Sequence, residues 1–224
     1  MLGKMLSIVL TGAALLSGSK NAVLPEKDID GTIFLVNRQH VISEQYVPEP
    51  LRKTQVYGMS QSMREDAATA LEELFQAAQA DGIKLSSVSG YRSYSKQSLL
   101  YDRKTKRTGS ETEADKLVAR PGASEHQLGL AMDLATRNSS TLSEKFGSTP
   151  EGQWVYANCQ RFGFIVRYLK GYEDVTGYSF EPWHIRYVGP EHAEAIAASG
   201  LPFETYLSGW KLELYDYLLH HAMN

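Results

Sequence analysis

Ser124-Glu125-His126-Gln127-Leu128-Gly129-Leu130-Ala131-Met132-Asp133 and, later in the chain, Glu181-Pro182-Trp183-His184-Ile185-Arg186 are the stretches on which the reading of this sequence turns. Leu128 to Leu134 is predicted as a strand with Gly129, Ala131 and Asp133 on one face, because alternate side chains of a strand point the same way. Trp183 to Val188 is predicted as another, which puts His184 and Arg186 on a shared face. Two histidines and an aspartate match the donor set of a catalytic zinc ion, which takes three protein ligands and leaves a fourth position for water. Such an ion lowers the pKa of that water to about 7 and polarises the carbonyl under attack. Glu181, shortly before His184, is placed to take the proton and return it to a leaving amine. The small residues Gly129 and Ala131 keep the wall beside the ion thin. Singly, these residue types carry little weight: a lone His is more often a surface or satisfied core residue, and a lone Asp at a strand end more often caps a turn. By spacing alone, the metal site and that plainer reading stand about even.

Outward from these stretches, strands and helices interleave. Met63, Ala67, Ala70, Leu71, Leu74, Phe75 and Ala78 recur at helical spacing, with Ser60 or Ser62 as a cap and Gly82 past the end. Leu85 to Ser89 reads as a short strand, Ser95 to about Lys106 as a helix, Gln153 to Arg161 as a helix and Phe164 to Tyr168 as a strand. Pro190 to Ser199 reads as a helix with proline at its start and Gly200 beyond it, and Phe203 to His221 as a closing helix. Few, short strands among helices predict an α+β fold with a small, largely antiparallel sheet flanked by helices. Thr32 to Val36 is a strand candidate within a stretch of scattered prolines, so 22–55 reads as a linker and lead-in to a compact domain over 56–224.

A chain of 224 residues suits one domain of ordinary size. With 42% hydrophobic residues, 22% charged and a formal net charge of -3, it offers no broad cationic surface for nucleic acid. The single cysteine, Cys159, excludes an internal disulfide and a thiolate metal cluster, so any ion must rest on His and carboxylate ligands. Lys4 precedes a mostly apolar run from Met5 to Leu16, followed by the small residues Ser17, Gly18 and Ser19, which reads as an export signal over 1–21. Leu15-Leu16-Ser17-Gly18 resembles the stretch before the lipid-modified cysteine of bacterial lipoproteins. Position 19 is serine, so a lipid anchor is expected only if Ser19 stands where the natural chain has a cysteine.

Ser-x-His-x-x-Gly-x-Ala-x-Asp at 124–133, together with Glu-x-Trp-His-x-Arg at 181–186, resembles the paired signature of the VanY-type D-alanyl-D-alanine carboxypeptidases. These belong to the wider zinc peptidase group that includes lysostaphin-like enzymes and hedgehog domains, and the similarity runs from about Tyr57 to Val188. The resemblance implies a hedgehog/D-Ala-D-Ala peptidase-like fold and one Zn2+ on His126, Asp133 and His184, with Glu181 as catalytic acid/base. It also implies a peptidoglycan stem peptide as substrate. Ser89-Gly90-Tyr91-Arg92-Ser93 resembles the family's Ser-Gly-Tyr-Arg-Ser segment, whose arginine lies in the active site. Arg92 is thus the candidate for holding a terminal carboxylate or a developing oxyanion, since guanidinium is a permanent charge with a planar fork. Without the motif it would read as a solvated strand-end residue.

Gln97 and Ser124 are candidates for substrate hydrogen bonds, or else satisfy local backbone groups. Trp183 either walls the pocket or belongs to the core. Arg186 either orients a metal-site carboxylate from behind or forms a surface pair. His40, His192, His220 and His221 have no matching partner set and read as surface residues. Tyr168, Tyr172 and Tyr178 flank the loop Gly171 to Gly177, which either forms a lip over the substrate or a partly buried edge.

The expectation is therefore an exported monomeric carboxypeptidase, D,D or L,D, without stable membrane insertion after processing. The alternatives are an endopeptidase of the same fold with an open groove, a zinc-containing wall-binding module without catalysis, and a metal-free structural domain. The presence of both Glu181 and Arg92 argues for an enzyme.

Overall fold

The computed structural model describes residues 22–23 and 31–209. The predicted export segment, and the part of the closing helix that includes His220 and His221, lie outside the described residues. Strands β1 (Ala22–Val23) and β2 (His40–Val41) form a small parallel pair. Strands β3 (Leu51–Lys53) and β4 (Ser62–Arg64) form an antiparallel pair. The chain then enters helix α1 (Glu65–Ala80), strand β5 (Leu85–Ser89) and helix α2 (Tyr94–Thr108). Strand β6 (Ala131–Thr136), helix α3 (Pro150–Asn158), strand β7 (Phe164–Tyr168), strand β8 (Glu181–Tyr187) and helix α4 (Pro190–Ser199) follow. The main sheet has the order β5-β6-β8-β7 with every neighbour antiparallel, as expected for few, short strands among helices.

One face of this sheet carries the core. Met132 and Leu134 of β6, with Leu130 just before it, pack with Leu71, Leu74 and Ala78 of α1. Helix α1 therefore shields the apolar side while the alternate residue Asp133 points to the other. The spacing of apolar residues in α1 is as read from sequence, but its start is not. Neither Ser60 nor Ser62 caps it: Ser62 belongs to β4, Arg64 occupies the cap without a side-chain bond, and Glu65 and Asp66 favour the positive helix end instead. A second cluster, Ile165, Val188, Ala193, Ile196, Phe203 and Leu207, seats α4 and the helical residues 203–209 against the sheet.

Other boundaries also shift for local reasons. The predicted strand Leu128 to Leu134 starts only at Ala131, because Glu125–Leu128 forms a 3-10 turn that Gly129 closes at φ 69. That left-handed backbone is one glycine adopts readily. The predicted helix Gln153 to Arg161 begins at Pro150, where the Thr149 hydroxyl accepts from the Gly152 amide, and tightens into a 3-10 turn over Cys159–Phe162. Thr32 to Val36 pairs with no strand among the described residues. The Thr32 and Phe34 carbonyls each accept from Arg186 Nη2 at 2.9 Å, so a side chain takes the place of a neighbouring strand. Val36 and Ile42 of the lead-in segment are buried in the main core.

Candidate metal centre and active-site cavity

Strand pairing brings the principal residues together. Asp133 of β6 stands opposite His184 of β8 in the sheet register, and Ser89 at the end of β5 stands opposite Asp133 from the other side. The 3-10 turn before β6 lifts His126 to the same place. There its Nδ1 lies 2.7 Å from the Gly90 carbonyl, and because a carbonyl only accepts, Nδ1 carries the proton and Nε2 the lone pair. A side chain at position 90 would place its Cβ 2.6 Å from the Ser62 carbonyl, so this carbonyl is held where it is by a residue that must be small.

Asp133 bridges the two imidazoles: Oδ2 lies 3.4 Å from His126 Nε2 and Oδ1 lies 3.0 Å from His184 Nδ1. One donor atom from each of the three residues falls within 4.8 Å of the others, and all three side chains are buried. Ligand atoms about 2.0–2.2 Å from a tetrahedral zinc stand about 3.4 Å apart, so the set fits such an ion with little adjustment. His126 Nε2 is a buried nitrogen with no hydrogen-bond partner among the described residues, which is the state expected of a ligand atom.

The electrostatics of the three donors differ. Burial opposes ionisation of Asp133, but the two imidazoles hold its carboxyl well below the usual range. Burial and the Arg92 charge push His126 down to about 4, leaving it neutral, the form that binds metal. Burial disfavours charge on His184 too, yet the carboxylates of Asp133 and Glu125 push it up to about 9, so an ion bound here displaces a proton from this ring.

Glu181 should face away from His184 by simple strand alternation, since the two are an odd number of residues apart. They share the cavity because β8 bulges. Between the Val166–Ile185 and Tyr168–Glu181 pairs, Pro182, Trp183 and His184 face the single residue Arg167. Proline, which lacks the ladder N–H, is tolerated at such a bulge. Burial pushes the Glu181 carboxyl up to about 7, against the pull of His184 and Arg92, which poises it for proton transfer near neutral pH.

The cavity has a volume of about 300 Å³, and Arg92, Ser124, Tyr168, Glu181, Trp183 and His184 are on its wall. Arg92 donates its backbone N–H to the His126 carbonyl, and its Nε is buried without a partner. Trp183 serves both readings made for it, lining the cavity and packing against the core. Tyr168 and Tyr178 pack as a tilted pair with ring centroids 4.8 Å apart and both line the cavity, whereas Tyr172 turns away and donates to the Gly200 carbonyl. Gln97 is the candidate that is not brought to the cavity. It is fully buried, and its amide donates to the Ala119 carbonyl at 2.7 Å, holding a wall residue by its backbone. Among the other histidines, His40 Nδ1 lies 3.1 Å from Asn37 Oδ1 and His192 Nδ1 lies 2.9 Å from the Tyr206 hydroxyl.

One participant carried no role in the sequence reading. Glu125 is fully buried, and its Oε1 lies 2.8 Å from both Arg167 Nε and Arg186 Nη1. Arg167 in turn forks onto Glu204 at 2.6 and 2.9 Å. Burial disfavours a charged Glu125, but the two guanidinium groups hold it well below the usual carboxylate range. Arg186 therefore pairs with a buried carboxylate beside the site rather than with a surface one. No local pattern announces this network, because its members meet only through the fold.

Two imidazoles and a carboxylate on a small antiparallel sheet, with a buried glutamate and an arginine in the same cavity, define a peptidase-type site whose donor set could hold one metal ion. The family described as "VanY: D-alanyl-D-alanine carboxypeptidase" matches residues 60–190, and the chain belongs to that family. It is 41% identical over 188 residues to a D-alanyl-D-alanine carboxypeptidase of Enterococcus faecalis, a match covering 79% of this chain and 66% of that protein. The chain thus spans about two thirds of the length of such curated relatives. Among solved structures it resembles the LdcB LD-carboxypeptidase, in a study of peptidoglycan recognition, with a TM-score of 0.77 and 40% identity, covering 86% of this chain and 91% of that one. It also resembles a variant of the vancomycin-resistance D,D-pentapeptidase VanY in complex with Zn(II), with a TM-score of 0.68 and 38% identity, covering 79% of this chain and 98% of that one.

Proposed function

We propose that this protein is a zinc-dependent carboxypeptidase that releases the terminal D-alanine from peptidoglycan stem peptides, working as a monomer outside the cytoplasmic membrane. The observation that carries the proposal is the convergence of the His126, Asp133 and His184 donor atoms with Glu181 and Arg92 on one cavity. A cavity of about 300 Å³ with a guanidinium in its wall suits the charged end of a peptide better than a continuous chain. Membership of the VanY family and the likeness to a peptidoglycan LD-carboxypeptidase support the substrate class. Among the described residues no helix is long and apolar enough to cross a membrane.

Zinc on this donor set supplies Lewis acidity and a nucleophile at neutral pH. The chain's own residues do the rest. Glu181 takes the proton from the attacking water on its carboxylate and hands it to the departing amine nitrogen. Arg92 holds the terminal carboxylate or the developing oxyanion with a charge that stays in place at any working pH. Ser124 and Trp183 contact the bound peptide from the wall, and the Tyr168–Tyr178 pair shields the site from water. Elemental analysis coupled to a D-alanine release assay tests the proposal: one zinc per chain with D-alanine freed from a stem peptide supports it, and a protein that binds no zinc or frees none contradicts it.

A further inference from the structure

We propose that Glu125 is a positioning residue for the metal centre: its Oε2 accepts the Nε2–H of His184 and thereby presents His184 Nδ1 to the ion. The inference rests on the metal reading above and concerns how this chain holds one of its ligands. His184 Nε2 and Glu125 Oε2 are both buried, neither has a hydrogen-bond partner among the described residues, and they face each other at 3.5 Å. A slight rotation of either side chain brings them into a hydrogen bond, which satisfies two buried atoms at once. Only His184 Nε2 can donate in that pair, since the carboxylate is ionised by its two arginines. The proton on Nε2 leaves the lone pair on Nδ1, the nitrogen already nearest Asp133.

The arrangement mirrors that of His126, whose non-ligating nitrogen is fixed by the Gly90 carbonyl. Each imidazole then has one nitrogen toward the ion and the other on a fixed acceptor, a pattern that sets tautomer and ring orientation. Glu125 is a rigid acceptor because Oε1 is occupied by Arg167 and Arg186, whose side chains have no exposed surface. Those arginines are anchored beyond the family-matched residues 60–190: Arg167 on Glu204, and Arg186 on the Thr32 and Phe34 carbonyls. The segments at 32–34 and 203–209 thus brace the metal ligand from behind, which gives them a part in the site although neither touches the cavity.

The test is zinc affinity by competition with a chromophoric chelator, on purified wild type and Glu125→Gln, with circular dichroism as the check on folding. Glutamine offers one acceptor oxygen to three facing donors and turns an amide N–H2 toward a guanidinium, so a folded variant is expected to bind zinc about 10–100-fold more weakly. Unchanged affinity in a folded variant overturns the positioning role while leaving the metal reading intact; a wild type that binds no zinc overturns the metal reading itself. Should Glu125→Gln fail to fold, 15N NMR of histidine-labelled, zinc-loaded wild type decides. A proton on His184 Nε2 with Nδ1 bound supports the proposal, and Nε2 bound overturns it.

Discussion

Asp133 Oδ1 lies 3.0 Å from His184 Nδ1 across directly opposed positions of β6 and β8, while its other oxygen reaches His126 Nε2 at 3.4 Å. One carboxylate therefore joins the two imidazoles, and it is the residue whose charge the donor set can least spare. Asp133→Asn keeps the shape and removes the charge. Zinc content after dialysis is expected to fall from one per chain to near none while the far-ultraviolet circular dichroism stays native; full retention of zinc would remove Asp133 from the ligand set.

Glu181 sits at the edge of the donor set with its carboxyl pushed up to about 7 by burial. Glu181→Ala is expected to bind zinc as wild type does and to lose about 10²–10⁴-fold in turnover, the usual contribution of a general base. Zinc-loaded Glu181→Ala that turns over normally would take the base role away from this residue.

Arg92 brings a permanent charge into the cavity wall, with its Nε buried and unpartnered. Arg92→Ala is expected to cost about 10²–10³-fold in kcat/KM on peptides with a free terminal carboxylate, the range seen when one oxyanion donor is removed. The loss on C-terminally amidated peptides is expected to be much smaller. Equal losses on the two would place the guanidinium elsewhere in the reaction.

Cys159 is buried at the start of the 3-10 turn that follows α3, where desolvation pushes its thiol up to about 12 from an ordinary 9.0. Only the thiolate alkylates, so iodoacetamide at pH 8 is expected to leave the folded protein untouched and to modify it in urea. The sign is that of a raised pKa: burial of the neutral thiol stabilises the fold fully below pH 9 and progressively less between 9 and about 12. Rapid alkylation of native protein at pH 8 would contradict this burial.

Leu74 is fully buried on the face of α1 that covers the sheet. Leu74→Ala is expected to lower stability by about 2–5 kcal/mol in urea unfolding, as large-to-small core substitutions do, without changing kcat per folded molecule. A changed kcat with unchanged stability would mean that α1 shapes the site directly.

The sequence made some of this legible and not the rest, for physical reasons. Few residue types can bind a metal or move a proton, so the candidates His126, Asp133, Glu181 and His184 stand out in two short motifs. Pro190 and Gly200 mark the ends of α4 because proline and glycine act locally on the backbone. The β8 bulge that turns Glu181 toward His184 depends on pairing with β7, and nothing in a single strand's alternation reveals it. Thr32 to Val36 has strand-like residues, but its hydrogen-bonding partner is the side chain of Arg186, far away in sequence. The Glu125 network escaped for the same reason: a charged residue next to a histidine looks like a solvated one until Arg167, Arg186 and Glu204 arrive from other elements. For Gln97 the sequence left two readings open, and its amide is spent on the Ala119 backbone, a choice that a residue far along the chain makes.

The most direct measurement is mass spectrometry of purified muropeptides, ending in D-alanyl-D-alanine or in a single D-alanine, incubated with zinc-loaded protein and with a chelated control. The account predicts loss of one terminal alanine in the zinc sample alone, and the muropeptide trimmed assigns the enzyme as D,D- or L,D-specific. Cleavage inside the peptide, equal trimming without zinc, or no cleavage by zinc-loaded protein would contradict it.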